Sequence, residues 1–171
     1  MKIKKRSSVS SAILIIIAST FILYAHNDGV KGRTKKSDDK PGCTCHGSDP
    51  TPSVKVVISG PDSLTVNQEA QYNVTVTGGP LAAAGVNIAA SKGTLTAVGS
   101  DLKLLSGELT HSDPKKPSGK SVQFQFKYKA PSLPGIQTIF ACGNSVDLND
   151  KKTGDMWNYA PDKIIVIMSP K

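Results

Sequence analysis

The pattern of apolar and polar positions changes twice along this chain. From Ala12 to Leu23 the run AILIIIASTFIL is almost continuously apolar, and it follows a basic start of Lys2, Lys4, Lys5 and Arg6. A basic start, an apolar stretch and polar residues from His26 onward are the three parts of an export signal. Residues 1–25 are therefore expected to form a signal helix, cleaved after Ala25 or kept as an uncleaved anchor. The stretch is shorter than the roughly 20 residues of a spanning helix, which favours cleavage. Residues 26–52 carry almost no large apolar side chain and are dense in Gly, Pro, Asp and Lys, so they read as a loop or linker.

From Ser53 the texture becomes short alternating runs punctuated by turn residues, the pattern of an all-β sandwich or barrel. Val54, Val56 and Ile58 alternate with polar or opposite-facing neighbours in SVKVVIS, as do Tyr72, Val74 and Val76 in AQYNVTVTG. In SVQFQFKYKA, Val122, Phe124, Phe126 and Tyr128 point one way and Gln123, Gln125, Lys127 and Lys129 the other, a period of two that no helix matches. Further strands are expected at 85–91, 93–98, 135–142 and 162–168, the last with an apolar run suited to a buried strand. ELTH reads as a short strand ending at His111, and 112–119 and 144–161 as long surface loops. The prediction is all-β: one β-sandwich domain of about seven to nine strands over 53–171, preceded by a signal helix and a loop bearing cysteines and a histidine.

Composition adds a limit. Hydrophobic residues at 38% and charged residues at 20% are those of a globular domain. The formal net charge of +8 suggests an anionic partner until its location is considered, because four of the positive charges lie in the leader. The remainder has 17 basic against 13 acidic residues, a modest excess of +4, and no nucleic-acid partner is expected. A membrane enters only if the leader is uncleaved.

The chemistry concentrates in PGCTCHG, where Cys43, Cys45 and His46 fall within four positions. A cysteine followed by histidine suits covalent haem attachment: the thiol adds to a haem vinyl group and the adjacent imidazole ligates the iron. The usual spacing is C-x-x-C-H; here one residue fewer separates the cysteines, and a thioether from Cys45 alone is compatible with ligation by His46. The same residues fit other arrangements. Cys43 and Cys45 can pair with each other, or either with Cys142, as a disulfide in an oxidising compartment, and Cys43, Cys45, His46 and Cys142 make up a four-ligand zinc set.

GCTCHG, the strand pair around QYNVTVTGG and AAGVNIAASKGTL, then SGELTH, VQFQFKYKAPSLPG and NSVDLNDKKTGD follow one another in an order that resembles a bacterial extracytoplasmic family. In that family, often labelled choice-of-anchor V, a haem-type C-x-x-C-H motif precedes a reelin-like sandwich. The resemblance implies an immunoglobulin- or reelin-like β-sandwich and an exported c-type cytochrome-like protein that binds haem c through Cys43, Cys45 and His46. Such a protein passes electrons outside the cytoplasm to an unidentified redox partner and has no catalytic residues of its own. A haem iron held by His46 needs a further ligand or an open position. His111, expected to be exposed at a sandwich edge, is the first candidate, and Met156 the alternative distal ligand. The competing reading is a disulfide-stapled secreted sandwich that is structural, adhesive or ligand-binding and carries no haem.

Other motifs add little. Asp147, Asn149, Asp150 and Asp155 offer oxygen ligands for calcium at a spacing that matches no standard loop, and a solvated acidic turn accounts for them. Lys115, Lys116 and Lys120 form a small basic patch suited to steering an acidic redox partner. No G-x-S-x-G, P-loop or H-E-x-x-H motif is present, and no enzyme activity is expected.

Overall fold

The alternating runs become strands in a computed structural model, which describes residues 29–36, 42–149, 151 and 153–170. The leader, His26 and Asp150 lie outside the described residues. The described chain is all-β, with eleven strands: β1 Val54–Ser59, β2 Ser63–Thr65, β3 Glu69–Gly78, β4 Ala83–Ala90, β5 Thr94–Ala97, β6 Leu102–Leu105, β7 Glu108–His111, β8 Ser121–Lys129, β9 Gly135–Val146, β10 Met156–Tyr159 and β11 Lys163–Met168. They form a four-stranded sheet, β1-β3-β8-β5, and a seven-stranded sheet, β2-β11-β9-β4-β7-β6, in which β10 also pairs with β9.

Two-residue periodicity fixes the register. In the β3–β8 ladder Tyr72 lies opposite Phe126, Val74 opposite Phe124 and Val76 opposite Val122, so the apolar sets of both strands share one face. Those side chains are buried against Val86, Ile88, Leu109, Ile139 and Ile165 of the second sheet. Tyr72 stacks on Phe126 at 5.8 Å and meets Tyr128 edge-on at 6.0 Å, which adds aromatic contact to the area removed from water. Each tyrosine hydroxyl donates to a backbone carbonyl at the rim, Tyr72 to Pro61 and Tyr128 to Lys92, both at 2.9 Å.

Several expectations are corrected. The segment 144–161 is not one long loop: β9 continues through Val146, and Met156–Tyr159 forms β10, pairing Trp157 with Asn144 and Tyr159 with Cys142. Strands β2 and β6 are also additional, which takes the count above nine. KIIVIM is not buried on both faces, because Ile165 and Ile167 enter the core while Ile164, Val166 and Met168 are exposed.

The linker reading also changes. Alternation along β9 sends Ile139 and Ala141 into the core and Cys142 and Asn144 to the outer face of the seven-stranded sheet. Along β4 it sends Ala84, Val86 and Ile88 inward and Gly85 and Asn87 outward, yet all of β4 is buried. The outer residues are covered by the segment before the sandwich. The Gly29 amide donates to the His111 carbonyl, Gly32 to Glu108, Arg33 to Asn87 and Gly42 to the Tyr159 hydroxyl. Residues 29–36 and 42–48 are thus a packed layer on the sheet's outer face.

Candidate functional site

The Cys-x-Cys-His segment makes a single 3-10 turn, Thr44–His46, closed by the His46 amide donating to the Cys43 carbonyl at 2.9 Å. None of the three turn residues is buried, so packing of the turn itself does not hold it. The anchors come from β10. Trp157, at 1% exposure, donates its indole N–H to the Gly47 carbonyl at 2.8 Å, and the Tyr159 hydroxyl accepts from the Gly42 amide at 2.6 Å. The two rings meet edge-on at 5.2 Å, and Lys35 lies 5.1 Å over the Tyr159 ring. Gly42 has to be glycine, since a β-carbon there would fall on the six-membered ring of Trp157.

Within this frame the three residues of the motif part company. Cys43 is turned inward, its Sγ 2.9 Å from the Sγ of Cys142. Cys142 is fully buried, and burial together with the Cys43 contact pushes its thiol well above the ordinary cysteine value. Cys45 is exposed. His46 is part-buried, and its Nδ1 meets Asp155 Oδ2 at 2.6 Å. The Asp155 carboxylate is only 4% exposed and its other oxygen accepts the Asp147 amide at 3.0 Å, so it is a fixed orienting group. With Nδ1 occupied, Nε2 is the nitrogen that His46 presents to a further ligand, an arrangement common among metal-binding imidazoles.

His111 is not exposed at an edge as expected. Its ring folds onto Gly85, where a β-carbon would lie 2.5 Å from Cε1 and 2.8 Å from Nδ1 and Nε2. Nδ1 lies 3.1 Å from the Val86 amide and 3.2 Å from its carbonyl; the neutral ring accepts from the first or donates to the second. Burial is the main reason its pKa is lowered, and the charge on Lys103 lowers it further. The ladder places Gly85 opposite Asn144, and Asn144 opposite Trp157, so one row across the outer face runs from the His111 ring to the anchor of the Cys-His turn. In that row Asn144 Oδ1 is buried without a hydrogen-bond partner.

Met156 is not brought to this site. Alternation along β10 puts it on the opposite face from Trp157 and Tyr159, which carry the turn. Among the described residues no group of three or more His, Cys, Asp or Glu is arranged to hold a metal ion, which leaves the four-ligand zinc set without support. The acidic turn is internally committed, Asp147 accepting from both the amide and the side chain of Asn149. In the basic patch, Lys115 is tied to Asp101 at 2.6 Å and to the Gln123 carbonyl at 2.8 Å. Sequence reasoning missed Asp155, Trp157 and Tyr159 as partners of the turn; the signal available was an acidic residue and two aromatics together in GDMWNY.

No family model matches the chain, and no curated protein is significantly similar to it.

Proposed function

We propose that this protein is an exported haem-binding electron carrier, with the porphyrin attached through one thioether at Cys45 and its iron ligated by Nε2 of His46. The observation that carries the reading is the 2.6 Å contact between His46 Nδ1 and the buried Asp155 carboxylate, beside an exposed cysteine thiol. The donor set fits the group. Thioether formation needs a thiol that a vinyl group can approach, and Cys45 is exposed while Cys43 is engaged at Cys142. Haem ligation needs a neutral imidazole in a fixed tautomer, which a carboxylate on the opposite nitrogen favours. With its Nδ1–H donating to the Val86 carbonyl, His111 also presents Nε2 as an acceptor and is the candidate second ligand. The haem supplies the one-electron couple; Asp155 holds His46, and Trp157 and Tyr159 hold the turn. The partner is an unidentified redox protein outside the cytoplasm.

A second reading is favoured by the approach of Cys43 to Cys142: a stapled secreted sandwich that binds another protein or a glycan and has no haem. Expression of the full chain with a c-type maturation system separates the two. The electron carrier gives a red protein whose Soret band survives acid-acetone extraction, with the mass of one haem added at Cys45. His46→Ala abolishes the band, and Asp155→Asn lowers haem retention. A colourless product of unchanged polypeptide mass overturns the proposal in favour of the stapled sandwich.

A further inference from the structure

We infer that Cys43 and Cys142 are joined in a disulfide that fastens the Cys-His turn to β9, and that Cys45 is left outside it. The cross-link holds with or without haem; Cys45 is a free thiol in the haem-free chain and the thioether sulfur where haem is attached. Their sulfurs lie 2.9 Å apart, closer than unbonded sulfur atoms rest and roughly 0.9 Å beyond a bond of ~2.05 Å. The approach is built by the fold on both sides. Cys142 is fixed by the ladder, paired with Asn87 of β4 on one side and Tyr159 of β10 on the other. Cys43 is delivered by its neighbour, because the Gly42 amide is held by the hydroxyl of that same Tyr159. The other pairings do not suit this arrangement. The 3-10 turn that follows Cys43 carries Cys45 out to solvent, away from the buried Cys142.

Burial also sets the order of the chemistry. Cys142 is fully buried and closed to a protein oxidant, whereas Cys43 is only partly buried. The step is thiol–disulfide exchange with an oxidised dithiol protein of the export compartment. The Cys43 thiolate attacks one sulfur of the donor disulfide, forming a mixed disulfide and releasing the donor's other thiolate. Cys142, once deprotonated, attacks the Cys43 sulfur and displaces the donor. Two electrons and two protons pass to the donor, which leaves as a dithiol, and the chain gains one S–S bond.

The test uses the full chain equilibrated with glutathione disulfide as the oxidant, alkylated and digested without reduction. The expected product links the peptide containing Cys43 to the peptide containing Cys142, with one equivalent of alkylating reagent taken up. Because Cys43 and Cys45 share a peptide, variants assign the bond. Cys45→Ser keeps the cross-link and takes up no reagent; Cys43→Ser in the folded protein loses the native link. Three alkylated thiols, a Cys43–Cys45 loop, or a cross-link lost in Cys45→Ser overturns the inference. A cross-link in protein that stays colourless after expression with a c-type maturation system refutes the haem reading and leaves this one standing.

Discussion

Gly42→Ala tests the packing of the Cys-His turn with the smallest available perturbation. The added methyl would overlap Cζ3 and Cη2 of Trp157 and lie 2.8 Å from the Tyr159 hydroxyl oxygen. Neither ring can step aside freely, since Trp157 is 1% exposed and tied to Gly47, and Tyr159 is tied to the backbone that carries the methyl. Overpacking of this kind costs about 1–3 kcal/mol. An escape is open in the reduced protein, where the turn is not fastened through Cys43 and can lift and give up its two hydrogen bonds to β10, at about 1 kcal/mol each. Both routes meet near 2 kcal/mol, roughly 4–8 °C in Tm for a domain of this size. Trp157 is the only tryptophan, so its emission reports on the turn alone. Lifting the turn moves the emission to longer wavelength and opens it to acrylamide, while the far-ultraviolet signal of the sheets is unchanged. A variant with the parent's urea midpoint and emission maximum would refute the packing described.

Two further outcomes follow from burial. The lowered pKa of His111 means that the unfolded chain, titrating near 6.5, binds a proton that the folded chain resists. Its contribution to stability is therefore complete above that value and is lost as pH falls from there toward the folded pKa. Urea midpoints at pH 7.5, 6 and 5 should fall more for the parent than for His111→Phe, and equal slopes would contradict a buried neutral imidazole. On β11, Ile165→Ala should cost about 2–5 kcal/mol by leaving a core cavity, whereas Ile164→Ala, at 48% exposure, should stay within about 1 kcal/mol; equal costs in urea unfolding would show that β11 is covered on both faces.

The sheets were legible wherever a strand was long enough to repeat its period. VQFQFKY declares both faces of β8 in seven residues, and QYNVTV does so for β3. Strand β2, at three residues, holds too little of a period to stand out from a turn, and β6, LKLL, does not alternate strictly between buried and exposed positions. MWNY was obscured further by the charged, glycine-bearing run before it, although it is the strand that carries the turn. The packed layer at 29–36 and 42–48 was illegible for a different reason. Its order comes from backbone amides donating to Glu108, Asn87 and Tyr159 rather than from apolar side chains of its own, so no hydropathy pattern marks it. Proximity of Cys43, Cys45 and His46 in sequence suggested a shared task. The structure instead turns one sulfur inward and the other outward, and gives the imidazole a carboxylate from beyond β9.

That separation carries a kinetic implication for any chemistry at the turn. The partners of Cys43, His46, Gly47 and Gly42 lie 99, 109, 110 and 117 residues away along the chain. Contacts of such range form only after the closure entropy of a long loop has been met, which here means after β9 and β10 have paired. Before that moment both thiols of the motif are open to a reagent, and Cys43 competes with Cys45. After it, Cys43 faces Cys142, His46 faces Asp155, and Cys45 alone remains open. A modification made late is thus directed to Cys45 by the fold, whereas one made early is directed by the sequence alone, and the mixture of Cys43- and Cys45-linked products reports which came first.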